Sequence, residues 1–310
     1  MSHLLPSSAL RIFRFDDIDD FRQAVEKVQI KFTPLARRIS STQAILSLPG
    51  CNINVVSSFP RILDGQLVPG CTAIGFAMDD RLPLVMNGRK VEVTFLAIGH
   101  GGGGYTALEK DALQFASLMF MPEVRDRGWP DPGRDFAIFA MEVAAQQRLR
   151  ALLLDVLEFA SASPDDLNLP GVADGIRESL LTAIDQAFAS LARPRPDMSL
   201  HTARSLEIVR KIEDLVAANL RSPVYSGELA REVGVSVRTL HNAVREHRGT
   251  SLHRYLRLKR LWLVRQRLRE GDISVKACAL AHGFWHLGEF SRSYREQFGE
   301  PPSVTLARAR

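Results

Sequence analysis

Two clusters of polar residues near the C-terminus carry the chemistry that this chain could do. In the first, Ser236 precedes the run from Val237 to Arg245. If Ser236 caps a helix whose apolar positions are Val237, Leu240 and Val244, then Arg238, Thr239, His241, Asn242 and Arg245 face outward. Those side chains match the edges of base pairs: arginine can fork to guanine, asparagine can pair with adenine, and a further arginine can hold phosphate. In the second cluster, a helix from about His286 to Gln297 turns Phe290, Tyr294 and Phe298 inward at helical spacing. Its outward residues are Leu287, Gly288, Glu289, Ser291, Arg292 and Arg295. Leu287 and Gly288 offer few hydrogen bonds, so this helix is expected to dock more than it specifies. Trp285 and His286, at its turn, read as packing or capping residues.

The elements that must position these residues repeat. Ala230 and Gly234 fall on Ala279 and Gly283 at an offset of 49. Leu240, Val244, Arg245, Glu246 and Gly249 fall on Phe290, Tyr294, Arg295, Glu296 and Gly299 at an offset of 50. Each copy is two helices broken by a glycine turn, the pattern of a helix-turn-helix. In the first, Leu229, Ala230 and Val233 make the stripe of a short positioning helix. In the second, Asp272 or Ser274 starts a helix that packs through Val275, Cys278, Ala279 and Leu280. A lone copy is equally a solvated amphipathic helix; two in tandem favour a bipartite reader of DNA.

Between the copies, Leu252, Tyr255, Leu256, Leu258, Leu261, Trp262, Val264 and Leu268 recur at three and four, predicting one helix closed by Gly271. About 18 residues at ~1.5 Å each span roughly 27 Å, close to the ~34 Å between successive major grooves on one face of a duplex. Its Arg254, Arg257, Lys259, Arg260, Arg265, Arg267 and Arg269 form either a phosphate-facing surface or a solubilising one.

These residues resemble the DNA-binding domain of AraC/XylS-type transcription regulators. The second copy carries that family's string in Gly283-Phe284, Phe290-Ser291-Arg292, Tyr294, Phe298-Gly299 and Pro302. The likeness covers about a third of the chain, and GFWHLGEF resembles the subset that includes regulators of ethanolamine and amino-acid catabolism. Three positions depart from it: Val244, where an aromatic is common, Arg248, where a less charged residue is, and Ser251 in place of a proline. The resemblance implies base contacts by Arg238, His241 and Asn242 in the first helix and Gly288, Glu289 and Arg292 in the second. It also implies an N-terminal cupin-like β-barrel that binds an effector or mediates dimerisation.

The remaining sequence agrees with two domains. The chain is 310 residues long and 45% apolar, enough for buried cores. Residues 201–310 hold 20 Lys+Arg against 11 Asp+Glu, whereas residues 1–200 hold 20 against 24. A basic third on an acidic remainder fits a polyanion-binding module attached to something else. Cys51, Cys71 and Cys278 form no metal-ligand pattern, which points to a reduced, cytoplasmic setting. No signal peptide and no apolar run near ~20 residues is seen, so neither export nor membrane spanning is expected.

Asp16 or Asp17 is expected to cap a short helix carrying Phe21, Val25 and Val28. From Gln43 to Met121 the period becomes that of strands, with turns at Pro49-Gly50, Asp64-Gly65, Pro69-Gly70, Asp79-Asp80 and Asn87-Gly88, as in a sandwich or barrel. Asn87-Gly88 is a two-residue hairpin signal. Helices are expected from Phe136 to about Phe159 and from about Gly171 to Leu191, a hairpin that serves as core cover or, by family likeness, as a dimer seam. Trp129 reads as a loop anchor. The expected architecture is therefore α+β: residues 1–191 for sensing and dimerisation (barrel about 43–121, helices about 136–191), a stiff linker 192–204, and an all-α DNA-binding domain 205–310.

His100 followed by Gly101 to Gly104 suggests the oxyanion hole of lipase-like hydrolases, but the Gly-x-Ser-x-Gly turn that this chemistry needs is missing from the sequence. No phosphate-binding lysine follows the glycines either, so a rim loop is expected. The barrel lacks the paired histidines and glutamate of a metal-binding cupin; no metal and no cofactor is expected. The reading is thus a regulator and not an enzyme: an effector-responsive activator of a catabolic operon, homodimeric, whose partners are double-stranded DNA, RNA polymerase and a small-molecule effector.

Overall fold

The computed structural model describes residues 9–18, 20–21, 30–37, 39–80, 84–133, 135–191, 200–219 and 225–309. Its N-terminal part is built on two antiparallel sheets. The larger contains Leu10–Phe15 (β1), Ser41–Leu48 (β3), Cys51–Ser57 (β4), Thr72–Ala77 (β6), Phe95–His100 (β9), Gln114–Phe120 (β11) and Ala137–Ala140 (β12). They pair in the order β1-β3-β4-β11-β6-β9-β12. The smaller contains Ile30–Pro34 (β2), Arg61–Gln66 (β5), Leu84–Met86 (β7), Arg89–Lys90 (β8) and Gly104–Glu109 (β10). Its order is β2-β5-β10-β7-β8.

Helices cover both outer faces. Val143–Ala162 (α1) and Val172–Ala189 (α2) form a hairpin on the larger sheet. Leu200–Asn219 (α3), Ser226–Val233 (α4), Val237–Arg248 (α5) and Leu252–Arg269 (α6) follow in the chain. The last three are Val275–Ala281 (α7), Leu287–Phe298 (α8) and Pro302–Ala307 (α9).

The period-2 geometry of strands explains the layers, because alternate side chains leave opposite faces of a sheet. In β6 and β9, Ile74, Phe76, Leu96 and Ile98 join the core under α1 and α2. Their neighbours Ala73, Ala77, Phe95 and Ala97 enter the core between the sheets. The smaller sheet alternates in the same way. Leu63, Leu84, Met86 and Ala107 face the larger sheet; Ile62, Val85 and Leu108 face helices α3 to α6. Sheet-to-sheet and sheet-to-helix packing thus bury nearly every residue of the central strands.

Several sequence expectations change. Ala137–Ala140 is an edge strand, paired with β9 from Ala137↔Ile98 to Ala140↔Phe95, and the helix starts only at Val143. The strand wins because Ala137 and Phe139 fill the helix-side core while Ile138 points to the inter-sheet core. Asp64-Gly65 is no turn: both lie inside β5, paired with β10 on one side and β2 on the other. Gly65 is needed there because a Cβ would come within 2.4 Å of the Tyr105 ring. Strands β1 and β2 also precede the expected barrel. Phe21 is buried with Phe15, Phe59 and Trp262, whereas Val25, Val28 and residues 192–199 of the linker lie outside the described residues. Helix α3, which the sequence did not suggest, starts inside the expected linker.

Other expectations hold. Asn87 and Gly88 take positive φ of 48° and 80° at the tip between β7 and β8, although β8 is only two residues long. His100 ends β9, and the glycines after it form the connection to β10. Trp129 anchors its loop by donating to Asp185 at 2.7 Å and packing on Phe188. Cys51, Cys71 and Cys278 are free and buried, and burial pushes the thiols of Cys51 and Cys278 up to about 12 and about 11.

Candidate nucleic-acid interface

The first helix pair is α4 and α5. Leu229, Ala230 and Val233 are buried on α4, and Gly234, at φ 75°, makes the turn. Ser236 caps α5 by accepting from the Thr239 amide at 3.1 Å. Leu240, Ala243 and Val244 then face inward. Arg238, Thr239, Asn242 and Arg245 stand exposed on the other side, and His241 is half-buried with its ring 5.9 Å from that of His253. Val237 departs from its expected inward place and is 44% exposed. It occupies the first helical position beside the cap, where the buried stripe has not yet begun.

The end of α5 is built differently from its start. His247 and Arg248 are buried. Arg248 is held by Asp64 of β5 at 2.6 Å and by Glu213 of α3 at 3.4 Å. Glu213 also accepts from the Tyr255 hydroxyl and lies 2.5 Å from the Lys259 ammonium. The His247 ring meets the Thr106 hydroxyl of β10 at 3.1 Å. Its other nitrogen would lie 2.7 Å from a Cβ at Gly88, so the hairpin tip fits this helix end only with glycine there. Gly249, at φ 64°, similarly rests against Leu108. Burial, and then Arg248 and Arg210, push the His247 imidazole down to about 3, so it is neutral at ordinary pH.

Helix α6, capped by Ser251, joins the two pairs. Its basic residues are not one open surface. Lys259 belongs to the Glu213 cluster, Arg265 is buried against Glu300 at 3.0 Å, and Arg267 pairs with Glu270 and Asp272. Arg260 lies over the Phe284 ring. Arg257 pairs with Glu289 of α8 at 2.7 Å, so contacts within the protein engage much of what the sequence read as either a phosphate-facing or a solubilising surface; Arg254 and Arg269 are its exposed residues. Trp262 packs on Phe298 and donates to the Pro34 carbonyl at 3.3 Å, tying α6 to β2.

The second pair is α7 and α8. Ser274 caps α7 by accepting from the Ala277 amide, and Gly283 turns the chain at φ 75°. Phe290 and Tyr294 are buried beneath α8, with Tyr294 donating to Thr305 of α9 at 2.9 Å. Gly288, Glu289, Arg292 and Arg295 are exposed, and Ser291 is half-buried. Glu289 is held by Arg257 of α6 at 2.7 Å, and Arg292 pairs with Glu296 one turn along at 3.0 Å. Trp285 contradicts its expected packing role, being 65% exposed.

Residues 229–308 match the family model described as a helix-turn-helix domain. This C-terminal domain is an AraC-type helix-turn-helix domain, and the chain's relatives are XylS/AraC-type transcription activators. It is 36% identical over 104 residues to XylDLEGF operon transcriptional activator 3 of Pseudomonas putida, covering 33% of this chain and 30% of that one. Against XylDLEGF operon transcriptional activator 1 of the same organism it is 28% identical over 210 residues, or 64% of this chain and 59% of that one. The chain therefore spans less than two thirds of these relatives' length. A solved AraC-type transcriptional regulator from Chromobacterium violaceum is 31% identical, with a TM-score of 0.33, over 34% of this chain and 96% of that one. Among the described residues, no group of three His, Cys, Asp or Glu is placed to hold a metal ion, and no helix is long and apolar enough to cross a membrane.

Proposed function

We propose that the chain is a sequence-specific DNA-binding transcription regulator, an effector-responsive activator of a catabolic operon, that reads two adjacent major grooves with α5 and α8. One observation carries this reading. Each of the two helices keeps an apolar side in the protein and holds a polar, arginine-bearing side in solvent, on one helical domain joined by α6. Arg238, Thr239, His241, Asn242 and Arg245 are the reading residues of the first half-site. Gly288, Glu289, Ser291, Arg292 and Arg295 serve the second, with Glu289 as a positioning partner of Arg257. Phosphate contacts supply most of the affinity, so binding falls steeply with salt.

The sheets and the α1–α2 hairpin form the sensing and dimerisation part. Val143 and Leu154 lie eleven residues apart on α1, about three turns, and are 60% and 57% exposed. They support a homodimer through this hairpin. Activation requires contact with RNA polymerase, in the cytoplasm, and the GFWHLGEF run supports an effector of the amine or amino-acid class. Footprinting of the full chain on its own upstream region tests the whole reading. Protection over two successive major grooves is the expected result; equal affinity for promoter fragments and random DNA at moderate salt refutes it.

A further inference from the structure

Trp285 and Gly288 have no explanation inside the protein. The chain has three tryptophans. Trp262 is 4% exposed and Trp129 is packed and hydrogen-bonded, but Trp285 is 65% exposed in the turn that enters α8. Gly288 lies in the first turn of α8, where glycine weakens a helix relative to alanine. No positive φ requires it, and a Cβ built there meets nothing within 4 Å. This glycine leaves the start of α8 open, with room for a close approach from outside the chain.

Trp285 stands in the extended turn just before the N-cap of α8, three residues ahead of Gly288. Within the helix, Gly288, Arg292 and Arg295 follow one another at spacings of four and three, the repeat of a single helix side. The acidic residue in the N-terminal half of that side, Glu289, is engaged by Arg257 at 2.7 Å. What else is accessible at that end is the Trp285 indole, His286, the bare backbone of Gly288 and the half-buried Leu287. In a major groove the apolar feature that marks one base is the C5-methyl of thymine. The N-terminal residues of a reading helix are the ones that reach base edges.

Resting on the proposed DNA-binding function, we propose that Trp285 lays its indole on a thymine methyl group in the second half-site. Gly288 lets the helix backbone come close enough for that contact. The pair makes α8 a reader of thymine through an apolar contact, with Arg292 and Arg295 supplying the polar ones.

The experiment uses the full chain and duplexes enriched by it from a random library. Thymines of the second half-site are then replaced singly by deoxyuridine, which lacks only the methyl group. The expected result is an affinity loss of about three- to tenfold at one position for the wild type, and none for Trp285→Ala. Trp285→Phe should retain part of the response. Gly288→Ala should bind more weakly while melting at the same temperature or higher, which a merely structural role would not produce. A Trp285→Ala protein that folds, binds as tightly as wild type and responds equally to deoxyuridine overturns the contact. Intact DNA binding with lost promoter activation also overturns it, placing Trp285 against another protein. Enrichment of no duplex sinks the DNA-binding reading itself.

Discussion

The Arg248 guanidinium lies 2.6 Å from the Asp64 carboxylate, joining the end of α5 to a strand 184 residues earlier in the chain. The Arg248 side chain is fully buried and the Asp64 side chain 21% exposed. Removing Asp64 leaves the buried Arg248 only its longer contact with Glu213, at 3.4 Å. Asp64→Leu should therefore destabilise the chain by roughly 3 kcal/mol, the low end for breaking a buried pair. Urea denaturation followed by circular dichroism checks this; a change below about 1 kcal/mol would mean that the ion pair is open in solution.

Stability should fall as the solution is acidified from about pH 6.5 toward pH 3, the range set by the ordinary histidine value and that of buried His247. In that window the unfolded chain binds a proton that the folded one refuses, because burial, Arg248 and Arg210 oppose the imidazolium. The slope is at most ~1.4 kcal/mol per pH unit. Asp64 lies against the neighbouring Arg248, and burial raises its carboxyl, which works in the opposite sense. Comparing wild type with His247→Asn isolates the histidine. Identical pH profiles for the two would remove it as the cause.

At the hairpin tip, Gly88→Ala should lower stability by about 1–2 kcal/mol from its positive φ alone. The added methyl also meets the His247 ring. Gly70→Ala is the control, since it shares a positive φ of 76° but faces open space. The expected readout is a larger drop in melting temperature for Gly88→Ala than for Gly70→Ala.

Arg238→Ala should reduce affinity for the cognate site by roughly 1–3 kcal/mol and relax choice at one base pair. Fluorescence anisotropy on cognate and scrambled duplexes decides the matter. Equal losses on both would assign Arg238 to phosphate.

If the exposed side of α8 reads DNA as proposed, Arg257→Ala should weaken binding to every duplex, because it releases the Glu289 carboxylate there. Like-charge repulsion of this kind is screened by salt, so the defect should shrink as salt rises. Adding Glu289→Ala should recover the lost affinity. A double variant as weak as Arg257→Ala would show that the arginine itself touches DNA.

Local rules reached much of this molecule. Ser236, Gly234, Ser274 and Gly283 mark helix starts and turns by their own conformational preferences, and the stripes at Leu240 and Val244, or Phe290 and Tyr294, identify the buried sides. Asn87-Gly88 announced its hairpin for the same reason. What could not be read depends on distant partners. Asp64-Gly65 has the composition of a turn, yet it lies in a strand because Arg248 takes the carboxylate and the Tyr105 ring takes the space above the glycine. Arg248 was visible only as an odd charge at a family position. The basic residues of α6 look alike in one dimension and are separated by acidic partners: Glu213 on α3 for Lys259, Glu300 just before α9 for Arg265, and Asp272 beyond its own end for Arg267.

On β10, Ala107 and Leu108 are consecutive, one set in the space between the sheets and the other beneath Gly249 at the end of α5. That strand has no slack. A disturbance within the inter-sheet core that displaced it by an ångström would reach the footing of α5 through a single peptide unit, without any hinge or linker to carry the message.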